Sequence, residues 1–397
     1  MNGASVGRGD LLTAAGRLAI GAYVLCFYVL GQFEGLSRLS VVFAVAALGL
    51  VLAQGWRAGR LALPRFGFLP WLFAAYAGLS LTWAWDAREG LEPFVSLGSA
   101  VLGGFAAALA ARNGLSWKPA LWGAAAGAAV VAASTLPEVW RGGLNTRAAG
   151  IALNANAAGL LLSYAGLMIW SVPGQMPAWL QAPAAGLVLY AAAFTGSRKV
   201  LLCLAALVCL AALRSFGRLR RAVLAAALLA VAAAAVYTFS DTERAWEELQ
   251  SLQVFQRTAA ALSGEDFSYR TRVGMIDKAL EFWAERPLLG WGMGQFAARS
   301  DFATYSHSNY AELLANLGAV GLALYYAFHA TLLAVGARRW RSAWRGAAGS
   351  GLVLLLMALA LDAGMVSMSS KENWLLLFFC AGLIAESEPF GDAAGKG

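Results

Sequence analysis

Long apolar runs recur along this chain from Leu11 to Ile384, and that recurrence restricts the fold more than any other feature. A helix of roughly 20 apolar residues crosses the hydrocarbon core of a bilayer. Within that core every backbone N–H and C=O must be bonded inside the protein, which leaves helices as the natural spanning element for such runs. The pattern predicts an all-α polytopic membrane protein with about twelve transmembrane helices, near 11–30, 39–54, 66–83, 92–111, 119–136, 155–171, 179–196, 199–213, 222–239, 309–335, 347–366 and 373–386. The 179–213 pair can tilt, or break at Gly196. Composition agrees: 60% of the residues are hydrophobic and 13% charged, against about 25% charged in soluble domains. The chain reads as one integral membrane domain, 1–397, containing one large polar loop at 240–308 and ending in a short polar tail, 387–397.

The first run, beginning at Leu11 just after Arg8, is long and lacks a small-x-small cleavage pattern, so it reads as an uncleaved first helix. Cys26, Cys203, Cys209 and Cys380 all lie in apolar runs and read as small core residues, not as a disulfide framework or a metal site.

Positive charge orients the spans. With the N-terminus cytoplasmic, one set of loops holds Arg57, Arg60 and Arg65; Arg112 and Lys118; Arg214, Arg218, Arg220 and Arg221; and Arg338, Arg339, Arg341 and Arg345. The opposite short loops hold only Arg38, Arg88, Arg141, Arg147, Arg198, Lys199 and Lys371. Both termini are then cytoplasmic and loop 240–308 lies on the far side. The net charge of +8 reflects this topology, and its scatter between spans speaks against nucleic-acid binding.

The charges that run against the bias are the candidates for function. Arg198 and Lys199 follow Phe194-Thr-Gly-Ser at a junction between spans; the competing reading is two snorkelling side chains. Arg147 precedes Asn154 and Asn156 at the start of the sixth span. One of those asparagines reads as a helix N-cap, and Arg147 with Asn156 makes a cluster suited to an anionic head group. The large loop reads as mostly helical, amphipathic over Thr242–Ala261, and holds Arg270 and Arg272. Arg286-Pro-Leu-Leu-Gly-Trp-Gly-Met-Gly294 then forms a turn whose glycines would let backbone approach a ligand closely. It follows no strand, so a dinucleotide fold is not supported.

His329, within the tenth span, reads as a packed core residue. His307 sits instead at an interface among hydroxyls, with Asn309 and Glu312 close behind, where an imidazole can take a proton from a hydroxyl. Arginine forks pair with phosphate oxygens and hold their charge at all physiological pH. Arginines and one histidine on a single membrane face point to group transfer from a lipid phosphate carrier. One histidine without Cys or Asp-rich neighbours is poor for a metal, so none is expected.

These residues carry a resemblance. Thr195-Gly-Ser-Arg198 before a span, Arg272, Arg286-Pro-Leu-Leu-Gly-Trp-Gly-Met-Gly294, and His307-Ser-Asn309-Tyr310 leading into Glu312-Leu-Leu-Ala-Asn-Leu-Gly318 together resemble the O-antigen ligase and O-antigen polymerase superfamily, most specifically from Ser268 to Leu322. Within it the chain is most similar to an O-antigen ligase of the WaaL type. The resemblance implies a GT-C-like fold in the inner membrane of a Gram-negative bacterium, with a periplasmic active face and no cofactor or metal. It implies transfer of a glycan from undecaprenyl pyrophosphate to a sugar hydroxyl of the lipid A core. Arg198 and Arg272 carry the family's arginine roles and His307 its histidine role, with Arg270 the substitute if the match slips by two residues. The family often shows His-Asn where Ser308 here separates His307 from Asn309. An O-antigen polymerase using the same donor is the nearest alternative. A protein O-glycosyltransferase of the same superfamily, and a lipid-linked substrate transporter or flippase, are more distant.

Overall fold

A computed structural model describes residues 8–33, 35–59, 61–143, 146–214, 267–338 and 346–385. The predicted ninth span (222–239), the amphipathic stretch 242–261, the basic residues Arg218, Arg220, Arg221, Arg339, Arg341 and Arg345, and the tail 387–397 lie outside these residues.

The described residues form helices and no strand. In chain order they are α1 (Arg8–Val29), α2 (Leu39–Arg57), α3 (Phe68–Ser80), α4 (Ala87–Ala110), α5 (Lys118–Gly142), α6 (Ala155–Ser171), α7 (Gln181–Phe194), α8 (Arg198–Arg214), α9 (Phe267–Glu285), α10 (Gln295–Arg299), α11 (Asn309–Arg338), α12 (Ala347–Leu361) and α13 (Lys371–Ala385). A helix falls on each of the predicted apolar segments that lie among the described residues. Five helical stretches are long and apolar enough to cross a membrane unaided: Leu11–Gln32, Leu39–Arg57, Ala87–Leu115, Lys118–Gly142 and Asn309–Arg338. Several others, such as Phe68–Ser80 and Ala347–Leu361, are apolar but shorter.

The core is centred on α13, in which every residue from Asn373 to Ala385 is buried. It packs on α4, α12 and α11. Trp374, Phe378 and Phe379 lie at its centre, with Trp374 stacked on Phe73 of α3 and Phe328 of α11. Small residues bring the outer helices together, as expected where lipid offers no hydrophobic drive to association. A Cβ on Gly123 of α5 would sit 2.5 Å from the Gly21 carbonyl oxygen of α1. Leu11, Leu18 and Leu25 of α1 are exposed. They recur every seven residues, about two helical turns, and so form one lipid-facing row.

Polar contacts separate the loops into two ends. At one end, loop 58–67 meets the turn after α4 through Ala62 and Asn113, and Arg65 donates to the Ala385 carbonyl at the finish of α13. At the other end gather the loops before α2, α4, α6, α8, α11 and α13, and that end holds the candidate site.

Candidate active site

The site is assembled from three sequence-distant pieces. The first is the junction between α7 and α8. α7 stops at Phe194, Gly196 adopts φ +58°, and α8 begins at Arg198, so the helix pair does break at Gly196. The second is the start of α6. Asn154 is its N-cap, accepting the Asn156 N–H at 2.8 Å, which leaves the Asn156 side chain on the cavity wall. The loop before it is stapled down by Glu138 of α5, whose carboxylate accepts the Ala149 and Gly150 N–H groups at 2.7 and 3.0 Å. Ala148 donates to the Phe194 carbonyl at 2.8 Å, so this loop and the α7–α8 junction are neighbours.

The third piece is segment 286–316. Gly318 (φ +65°, ψ −169°) breaks α11 after Leu317, and the 287–294 loop packs into that break. Trp291 and Gly292 donate to the carbonyls of Ala315 and Asn316, while Ala319 and Val320 donate to those of Pro287 and Leu288. A Cβ on Gly290 would lie 2.5 Å from Asn316 backbone. The close approach expected of these glycines therefore serves the protein's own backbone. Gly294 alone of the three lines the cavity. Arg286 is likewise used internally, stacked 3.8 Å over the Trp291 ring.

This clip sets the loop that carries His307. Glu312 is buried, and its carboxylate accepts the Ser306 N–H at 2.7 Å and the Asn316 side-chain amide at 2.9 Å. Asn316 in turn accepts the Phe296 N–H at 2.7 Å. Ser306 Oγ donates to the Ser308 carbonyl at 3.0 Å, across His307. His307 is held at φ +59°, a left-handed conformation few non-glycine residues adopt, and its ring meets the Tyr305 ring edge-on at 4.5 Å. Its Nδ1 is buried and has no hydrogen-bond partner among the described residues.

A cavity of about 560 Å³ opens beside this loop, within the range of ligand pockets. Lys199, Asn156, His307, Tyr305 and Glu312 line it, together with Glu89, Glu92 and Glu372. Burial pushes the His307 imidazole down to about 4, and the charges of Arg272 and Lys199 add to the effect. The ring is therefore neutral at physiological pH. The charge of Arg272 also reaches Tyr305. The structure thus brings His307, Lys199, Asn156 and Glu312 to one cavity, with Arg272 close enough to act on the histidine.

Other predicted residues are placed elsewhere. Arg198 is half-buried at the first residue of α8, beside Lys199 but off the cavity wall, and is held by its surroundings. Arg147 is exposed on its loop. Arg270 falls in α9, with its side chain outside the described residues. Asn309 has its side chain fully buried within the fold, off the cavity wall. Its amide donates to Tyr326 and Asp362, and its oxygen accepts the Ser367 and Met368 N–H groups at 3.0 Å. It fixes loop 362–370 against α11, and Ser308 before it keeps its side chain away from that of His307. His329 is packed against Tyr325 and Tyr326, as expected.

Glu89, Glu92 and Glu372 escaped the sequence reading, although the carboxylates at 89 and 92 and the one at 372 flank the starts of apolar runs. Asp362 also escaped it; its carboxylate accepts from Tyr326 at 2.9 Å and from Ser367.

Residues 183–326 match the family model for O-antigen ligase. The likeness to that family lies within this segment, which spans less than half of the chain. No curated protein matches the chain. The matched segment runs from α7 into α11 and includes Arg198, Lys199, Arg272, His307 and Glu312. The cavity walls from α4, α6 and α13 lie outside it.

Proposed function

We propose that this protein is an O-antigen ligase. It transfers a glycan from undecaprenyl pyrophosphate to a sugar hydroxyl of the lipid A core, at the periplasmic face of the inner membrane. The observation that carries the reading is a neutral His307 imidazole with an unpartnered Nδ1, under the charges of Arg272 and Lys199, inside the segment that matches the ligase family.

In this mechanism the acceptor oxygen attacks the anomeric carbon and a new C–O bond forms there. The bond from that carbon to the pyrophosphate oxygen breaks, and the electron pair leaves with the pyrophosphate. The acceptor proton passes to His307. Arg272 and Lys199, with Arg198 and Arg147 nearby, hold the pyrophosphate and stabilise its growing charge. Fixed charges in a site that excludes water are well suited to that task. Donor binding also adjusts the base. Pyrophosphate cancels the cationic field that depresses His307, so the imidazole becomes more basic when a proton has to be taken. Positioning of the two lipids supplies the rest of the acceleration.

The reading carries a topology of about twelve spans in a GT-C-like arrangement, as a single membrane domain with 240–308 as its periplasmic loop and both termini cytoplasmic. The opposed ends of the bundle, one bearing Arg65 and Arg112 and the other the cavity, support that sidedness.

The test is transfer by the purified protein from a lipid-linked donor to lipid A-core. Attachment of preformed glycan to the core is expected. A product in which one carrier-linked glycan is extended by another would make the protein a polymerase. Movement of the donor across the bilayer without transfer would make it a flippase.

A further inference from the structure

The charges that violate the positive-inside pattern are not all used by the His307 cavity. Arg38 precedes α2, Arg88 lies in the first turn of α4, and Lys371 begins α13. These three loops are far apart in sequence, yet all three side chains line one further cavity of about 800 Å³. Gln32 and the hydroxyls of Ser96 and Ser99 share the wall, and Glu92 is its one carboxylate among the described residues. Lys371 Nζ is oriented by the Ser37 carbonyl at 3.4 Å. Snorkelling cations would scatter round the perimeter of the bundle. Three cations facing one carboxylate in a shared concavity make a receptor for phosphate.

The position of this cavity identifies the bearer of the phosphate. Glu92 and Ser96, one turn apart on α4, line both cavities, so the two adjoin at that turn. A ligand in the second cavity can reach over that turn toward His307. The donor pyrophosphate already has Lys199 and Arg272.

We propose that Arg38, Arg88 and Lys371 bind a phosphate group on the acceptor lipid, a sugar or two from the reacting hydroxyl. The assignment to the acceptor rests on the transferase reading above. The phosphate site itself rests on the cavity. Separate cationic sites let both anionic lipids bind together without competing for one set of charges.

The test uses the full-length protein in nanodiscs and the double variant Arg38→Gln, Arg88→Gln. Both residues are exposed, so the fold is retained. With a phosphorylated core acceptor the variant is expected to raise the acceptor KM about tenfold, the effect of losing a charge-assisted contact, while kcat and the donor KM hold. After phosphatase treatment of the acceptor, wild type and variant should show the same high KM. An unchanged KM in the variant, or a wild type indifferent to phosphatase, overturns the proposal. Binding is read separately from thermal unfolding in phosphatidylcholine nanodiscs, with phosphatidic acid or with inorganic phosphate added. Phosphatidic acid should raise the unfolding temperature of wild type, and the variant should lose that rise. A rise with inorganic phosphate and none with phosphatidic acid overturns the lipid assignment. Absence of transfer by wild type, with the phosphatidic acid effect intact, defeats the transferase reading and leaves the phosphate site standing.

Discussion

The Glu312 carboxylate accepts the backbone N–H of Ser306 at 2.7 Å, and this bond ties the loop bearing His307 to the helix that follows it. The carboxylate's other oxygen takes the Asn316 amide, which also fixes the start of α10 through Phe296. One buried acid thus sets the position of the histidine without itself having to react.

Replacing Glu312 with Ala strands the Ser306 N–H and the Asn316 amide in a buried setting. Loss of about 2–4 kcal/mol of stability is expected, the cost of unmet buried donors. Glu312→Gln keeps an acceptor and should lose less. Thermal unfolding in detergent ranks the two variants, and equal stability for both would remove the carboxylate from this role.

His307→Ala should reduce kcat by about 10²- to 10⁴-fold, the usual contribution of a positioned base. Its Nδ1 has no partner to strand, so the unfolding temperature should hardly move. Single-turnover transfer with saturating donor and acceptor measures the effect; near-normal turnover would exclude the histidine as base.

Protonation of His307 abolishes its capacity to accept a proton, so activity is lost as pH falls through its folded value. That value is depressed to about 4, and the acid limb of kcat/KM for the free enzyme should therefore lie well below the ordinary 6.5 of histidine. Arg272→Gln removes one of the depressing charges. The limb should move up, toward but not reaching 6.5, because burial is the larger cause and persists. A pH–rate profile of both forms checks this.

Gly318→Ala would place a Cβ against the Leu288 carbonyl at a φ of +65°. About 1–3 kcal/mol of backbone strain is expected, before any cost of the clash. Unfolding temperature and turnover should fall together, since the same break in α11 seats the 287–294 loop.

Sidedness is open to labelling. Cys209 is the one exposed native cysteine, and Cys209→Ser removes it. In that background Arg147→Cys, on its exposed loop, should react with a membrane-impermeant maleimide added from the periplasm. Reaction only after the cytoplasm is opened would invert the topology.

Much of this protein was legible from one dimension. The apolar runs determined helices, because a buried backbone must satisfy itself within each segment. His307, Arg272 and Lys199 stood out because a charge or imidazole at a membrane interface is costly without a purpose. Sequence also marked one of Asn154 and Asn156 as a helix cap, since capping depends on the local chain, and the structure decides that it is Asn154. Tertiary structure alone decided what depends on distance between helices. It buried Asn309 in the seat of loop 362–370 and turned the glycines of 287–294 toward their own backbone. It brought Glu89, Glu92 and Glu372 to the cavity and gathered Arg38, Arg88 and Lys371 around another. Helical periodicity reports which face of a segment is apolar, but not which distant segment that face will meet. Electrostatic fields and cavities follow from those meetings, so they appear only once the helices are packed.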